Sequence, residues 1–166
     1  MHKGLLKTDG GAGVKAMLFA AGAVVLAGGV YFWTAERGAQ AAGLLPYQDP
    51  AAVEEGRKVY AEYCASCHGA SLEGEPDWRQ RDAGGYLPAP PHDETGHTWH
   101  HADSQLLAIT KFGVEALAGA GYRSRMGGYE ELLSDAQMLA ALAYIKSRWP
   151  ADIIRRHNEI NAQAQP

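Results

Sequence analysis

The sequence predicts an all-α domain preceded by a single N-terminal transmembrane helix, on three observations. Apolar residues recur at helical spacing in three stretches after residue 49, each bounded by cap or stop residues. Strand-type alternation is absent, as is any internal repeat. Near the N-terminus, Ala16 to Trp33 form an uncharged apolar run of eighteen residues.

That run is just long enough to span a bilayer. Its closing Tyr31-Phe32-Trp33 suits a membrane interface, and Lys3, Lys7 and Lys15 assign residues 1–15 to the cytoplasmic side. The run exceeds the ~7–15-residue apolar core of a secretory signal. Length therefore favours an anchor at 16–33 over a signal cleaved near Ala39-Gln40-Ala41. Either reading carries the remainder across the membrane. Residues 34–48 are small, polar and Gly/Ala-rich with a break at Pro46, and read as a linker.

The domain is expected over 49–150. Asp49 and Pro50 supply an N-cap and first helical residue, and Val53, Gly56, Tyr60, Tyr63 and Cys64 form one inward face. Residues 69–101 hold four prolines and five glycines and predict a long irregular connection. Such a stretch suits a compact domain when a bound group supplies its packing surface. Asp103 or Ser104 is expected to cap a helix from Gln105 to Phe112, stopped by Gly113. A glycine-rich loop to Tyr129 follows. Ser134 and Gln137 make a capping box for a helix to Trp149, ended by Pro150. Residues 151–166 form an extension in which Ile153, Ile154 and Ile160 suggest an amphipathic helix.

The chemistry resides in Cys64-Ala65-Ser66-Cys67-His68, which contains both cysteines of the chain. On a helical turn, residues three apart share a face, so both thiols can add to the two vinyl groups of one porphyrin. The imidazole that follows then projects beneath the ring toward iron. A zinc site would need a second ligand pair, and a thioredoxin-type pair a βαβ setting. Neither is present, so one covalent haem c is expected, with His68 as an axial ligand.

The sixth iron position decides between electron transfer and chemistry at an open site. Met126 sits in a loop between Arg125 and Gly127-Gly128, where glycine lets the backbone approach closely. Met138 falls at an apolar helical position and reads as core. Met126 is therefore the expected ligand. His92, His97, His100 and His101 crowd ten residues and offer a competing ligand set or a second metal site.

With Gly56-x3-Tyr60-x3-Cys64-x2-Cys67-His68-Gly69, then Met126, then Ser134-Asp135 and Ala141-Leu142-Ala143-Tyr144-Ile145, residues 50–149 resemble class I cytochromes c. The resemblance implies the cytochrome c fold around one covalently bound haem, with Gly56 and Tyr60 facing Leu142, Tyr144 and Ile145 where the terminal helices cross. It implies that the carbonyl of Pro90 or Pro91 accepts the proximal imidazole N–H, which sets the tautomer. It further offers Trp99 as a propionate donor, and Arg79 and Arg81 as balancing charges. Many small members carry proline after the axial methionine, where this chain has Gly127.

Formal net charge is −4, and from Pro46 onward 17 acidic residues face 11 basic ones. An acidic surface excludes a nucleic-acid partner. No nucleophile–base pair or phosphate loop is present, so neither catalysis nor a small-molecule substrate is expected. The implied protein is an electron carrier of the bacterial inner membrane, its haem domain on the periplasmic side, serving respiratory redox partners. Docking is expected near Ala65-Ser66 and the Arg123–Met126 loop. The alternatives are gas binding or peroxidase-like activity if Met126 does not hold the iron, and metal handling by His92–His101.

Overall fold

The computed structural model describes residues 43–119 and 121–164. The expected anchor at 16–33 lies outside them. Among the described residues no helix is long and apolar enough to cross a membrane. The described fold is all-α with no sheet, its β-type pairing confined to one isolated bridge between Gly113 and Gly127.

Helix α1 spans Pro50–Tyr63. The Asp49 carboxylate accepts from the Ala51 amide at 3.0 Å, and Pro50 at the first turn has no N–H to leave unpaired. A one-turn helix α2, Ala65–His68, follows at once. Helix α5, Asp135–Ser147, starts from the expected box, with Ser134 and Gln137 capping reciprocally. It packs on α1 at Gly56, where an added Cβ would lie 1.9 Å from the Ala140 carbonyl oxygen. Contact this close needs glycine. One turn on, the rings of Tyr60 and Tyr144 stand 5.5 Å apart. The inward face of α1 is Gly56, Val59 and Tyr60, whereas Val53, Tyr63 and Cys64 are half-buried. Val59 was not expected there, yet it packs with Leu133, Met138 and Ala141.

Two expectations need correction. Helix α3 spans Asp103–Phe112 with Ala102 at its N-cap. Asp103 does not cap it, because its side chain turns away and accepts from the Leu44 and Leu45 amides at 2.6 and 3.2 Å. The region after Gly113 is not all loop, since Val114–Ala118 form a short helix α4. Gly113 itself (φ +82°) ends α3 as expected.

Helix α6, Ala151–Gln163, is the amphipathic extension. It buries polar groups as well as Ile153. Asn161 Oδ1 accepts from the Asp103 amide at 2.8 Å. His157 Nε2 donates to the His101 carbonyl at 3.0 Å and stands 3.3 Å from Asp103 Oδ1. Lys146 of α5 donates to Asn158 at 2.8 Å. Leu45 is 3% exposed and joins the main core with Tyr60, Leu106, Ile145 and Trp149. Residues 43–45, the start of α3 and α6 thus meet in one buried junction.

Candidate haem site

Both ends of the cysteine motif are stapled by tyrosine hydroxyls. Tyr60 Oη donates to the Gly69 carbonyl at 2.8 Å, and Tyr129 Oη to the Tyr63 carbonyl at 3.0 Å. Between them the Cys67 and His68 amides donate to the Cys64 carbonyl at 3.2 and 2.9 Å. That helical turn puts Cys64, Cys67 and His68 on one wall of a cavity of about 920 Å³. The volume lies at the upper end of the range for small-molecule and cofactor sites. Leu87, Leu106, Ile109, Leu142 and Ile145 give the cavity apolar walls.

His68 is buried, and its Nδ1–H donates to the Pro90 carbonyl at 2.8 Å. Of the two prolines the resemblance offered, Pro90 makes the bond. It leaves Nε2 as the lone-pair nitrogen, the tautomer an iron ligand requires. Burial lowers the His68 pKa, with the Pro90 bond opposing, so the ring is held neutral. Both thiols are free, and burial pushes Cys64 up to about 11. A neutral imidazole with one nitrogen engaged, two unpaired thiols on the same wall and an apolar cavity fit a covalently attached haem.

Met126 lines the same cavity. Its amide donates to Ser124 Oγ at 3.0 Å, and the Ser124 amide donates to Glu115 at 2.7 Å. Met138 is fully buried in the core with Val59, Leu133 and Ala141. Arg79 lines the cavity and lies over Trp78, 4.1 Å from its ring. Arg81 does not line it and donates to the Gly85 carbonyl instead. Trp99 also stands outside the lining, stacked on His100 with its indole donating to the Glu94 carbonyl at 3.3 Å. The expected propionate donor therefore has another acceptor. Pro91 is buried behind the wall, its backbone pressed against Gly74 and Gly96.

The histidine cluster does not assemble a metal site. Among the described residues no group of three or more His, Cys, Asp or Glu can hold a metal ion. Only His97 and His101 meet, edge to face at 5.4 Å, and each of the other rings has a partner outside the cluster or beside it in the chain. His92 stacks on His68 and bonds Thr98 Oγ1 at 2.7 Å, His97 stacks on Trp78, and His100 stacks on Trp99. Burial, reinforced by His68 and His97, keeps His92 neutral. Its carbonyl accepts the Trp149 indole at 2.7 Å, tying the cavity wall to the end of α5.

Sequence reasoning missed the contacts that hold the Met126 loop from across the cavity rim. Arg125 pairs with Asp82 at 2.5 Å, and Arg123 donates to Tyr86 Oη at 3.0 Å. The Arg125 bond holds the Asp82 carboxyl below its ordinary range, helped by the Tyr86 amide. No periodicity links positions some forty residues apart, so only a run of Arg and Tyr on both loops hinted at them.

The family model for cytochrome c matches residues 53–149, more than half of the 166. The chain belongs to the cytochrome c family. Its Cys64-x-x-Cys67-His68 is that family's covalent haem c attachment motif. Cytochrome c domains are typically electron carriers rather than catalytic enzymes, and such a domain implies protein redox partners. Searches of curated proteins and of solved structures return no significant match for this chain.

Proposed function

We propose that this cytochrome c is a membrane-tethered, single-electron carrier between respiratory redox partners, with His68 and Met126 as the two axial ligands. The observation that carries the reading is that Met126 shares one apolar cavity with Cys64, Cys67 and a His68 whose Nδ1 is already bonded to Pro90. Haem, when bound, supplies an Fe(III)/Fe(II) couple, and a thioether ligand raises its potential relative to a nitrogen donor. The chain's residues do the rest. Cys64 and Cys67 fix the cofactor, Pro90 orients His68, and the aliphatic walls exclude water. The uncharged run at 16–33 supports tethering, which would raise the concentration of carrier near membrane partners.

The oxidised protein is expected to show the weak near-infrared Met–Fe(III) charge-transfer band. Met126→Ala should abolish it, and Met138→Ala should leave it in place. A wild-type spectrum without the band, together with rapid carbon monoxide binding to the reduced form, would favour an open iron instead. For tethering, haem should partition with membranes in the full chain and become soluble when residues 1–40 are replaced by a cleavable secretory signal.

A further inference from the structure

The segment bearing Met126 has few apolar contacts to hold it. Leu117 is 49% exposed, and Gly119, Gly121 and Gly127 have open space where a side chain would begin. On the α3 side it is held by the Gly113–Gly127 bridge and the Glu115–Ser124–Met126 bonds. Across the rim it meets one turn, residues 82–86, which is closed on itself before it meets anything. The Asp82 amide donates to the Tyr86 carbonyl, and the Tyr86 amide donates back to Asp82 Oδ1, both at 2.9 Å.

That turn grips the two arginines preceding Met126. Asp82 Oδ2 takes Arg125, and the Tyr86 hydroxyl takes Arg123. Both guanidinium groups lie over the Tyr86 ring, 4.5 Å (Arg123) and 4.4 Å (Arg125) from its centroid. Arg81 extends the stitch, lying 5.1 Å from the Tyr122 ring while bonding Gly85. A single exposed ion pair holds little. Here one pre-closed turn makes an ion pair, a hydrogen bond and two cation–π contacts with residues immediately before the methionine.

We propose that Asp82 and Tyr86 are positioning residues for Met126: an ionic and cation–π clasp that holds the methionine loop against the cavity, where Gly127 contributes no stiffness. This rests on the reading of Met126 as the sixth ligand. The Arg125 side chain is 60% exposed and that of Asp82 35%. The clasp is therefore open to screening by salt, and the loop belongs to the low-stability end of the molecule, where local opening occurs.

The test is imidazole binding to the oxidised, full-length holoprotein at neutral pH, read beside the near-infrared band. An external ligand binds the open form, so its apparent affinity rises with the open fraction. In Asp82→Asn/Tyr86→Leu the affinity should rise about tenfold, corresponding to about 1.4 kcal/mol. Haem content and the global unfolding midpoint should stay at wild-type values. Arg57→Gln, which removes the exposed Arg57–Glu54 pair on α1, should leave imidazole affinity unchanged. In the wild type, affinity should rise between about 0.01 M and 1 M salt, and the double variant should lose that response. If the wild-type band is present but neither the double variant nor salt changes imidazole affinity, the clasp is overturned and the ligand reading stands. If the wild type lacks the band, the ligand reading falls and the clasp with it.

Discussion

The α1–α5 crossing and the Met126 loop are both parts of the cavity wall, and they are held by opposite means. At the crossing, backbone meets backbone so closely that Gly56 has no room for a methyl group. In the Met126 segment Gly119, Gly121 and Gly127 have open space, close backbone contact is confined to Gly113 and Gly128, and polar contacts at the surface hold the arginines before the methionine. The covalent side of the cofactor site therefore rests on close packing, which is unaffected by salt. The Met126 side, proposed above as the sixth-ligand side, rests on contacts that ionic strength weakens. This division suits the proposed arrangement, in which thioethers secure the group and Met126 tunes it.

The largest expected effect lies at the crossing. Gly56→Val forces three carbons into a contact already at its limit, and overpacking of this kind costs about 3 kcal/mol or more. Urea unfolding of the holoprotein checks it, and a loss below about 0.5 kcal/mol would mean the helices separate easily, erasing the contrast.

A smaller effect concerns the buried junction beside α6. Burial lowers the His157 pKa and Lys146 lowers it further, while Asp103 and the His101 carbonyl oppose. The folded protein thus takes up this proton less readily than the unfolded chain. As pH falls below about 6.5, the unfolded state protonates first and stability declines until the folded-state pKa is reached. Each unit of depression contributes about 1.4 kcal/mol over that window. His157→Gln should flatten the stability profile between about pH 7 and 5. Buried His68 and His92 contribute in the same direction, so a residual slope is expected, and a wholly unchanged one would show that His157 does not contribute.

The smallest effect is on the loose side. Gly127 has open space around it and a φ outside the left-handed region. Gly127→Ala should therefore be accepted without strain and stabilise by about 0.4–1 kcal/mol through the unfolded state. It should also lower imidazole affinity, because a stiffer loop opens less. Gly113→Ala should do the reverse, since φ is +82° and a Cβ would meet the Gly128 amide nitrogen at 2.8 Å. If both substitutions behave alike, the loop is not governed by local backbone freedom.

Local chemistry was readable along the chain wherever its cause is local. Cap residues Asp49 and Ser134, the stop at Gly113 and the spacing of Cys64, Cys67 and His68 each act within four residues. Asp103 shows where this reasoning stops. Its position before an apolar run reads as an N-cap, yet the carboxylate is more useful to two amides fifty-eight and fifty-nine residues upstream. The histidine run misled for the same reason. Four imidazoles close in sequence look like a ligand set, but stacking turns His92 to His68, His97 to Trp78 and His100 to Trp99, leaving only His97 and His101 in edge contact with each other.

By itself the sequence determined an all-α chain, the haem attachment turn and membership in a family of electron carriers, because helix periodicity and thiol spacing are short-range properties. Only the tertiary structure decided that Pro90 holds His68, that Val59 completes the α1 face, and that Asp82 and Tyr86 reach the arginines before Met126. These are meetings of residues up to forty-three positions apart in the hydrogen-bonded cases. The hydrogen-bonded meetings depend on where two irregular loops come to lie, and the Val59 contact on how two helices cross; no repeating pattern of residue types encodes either.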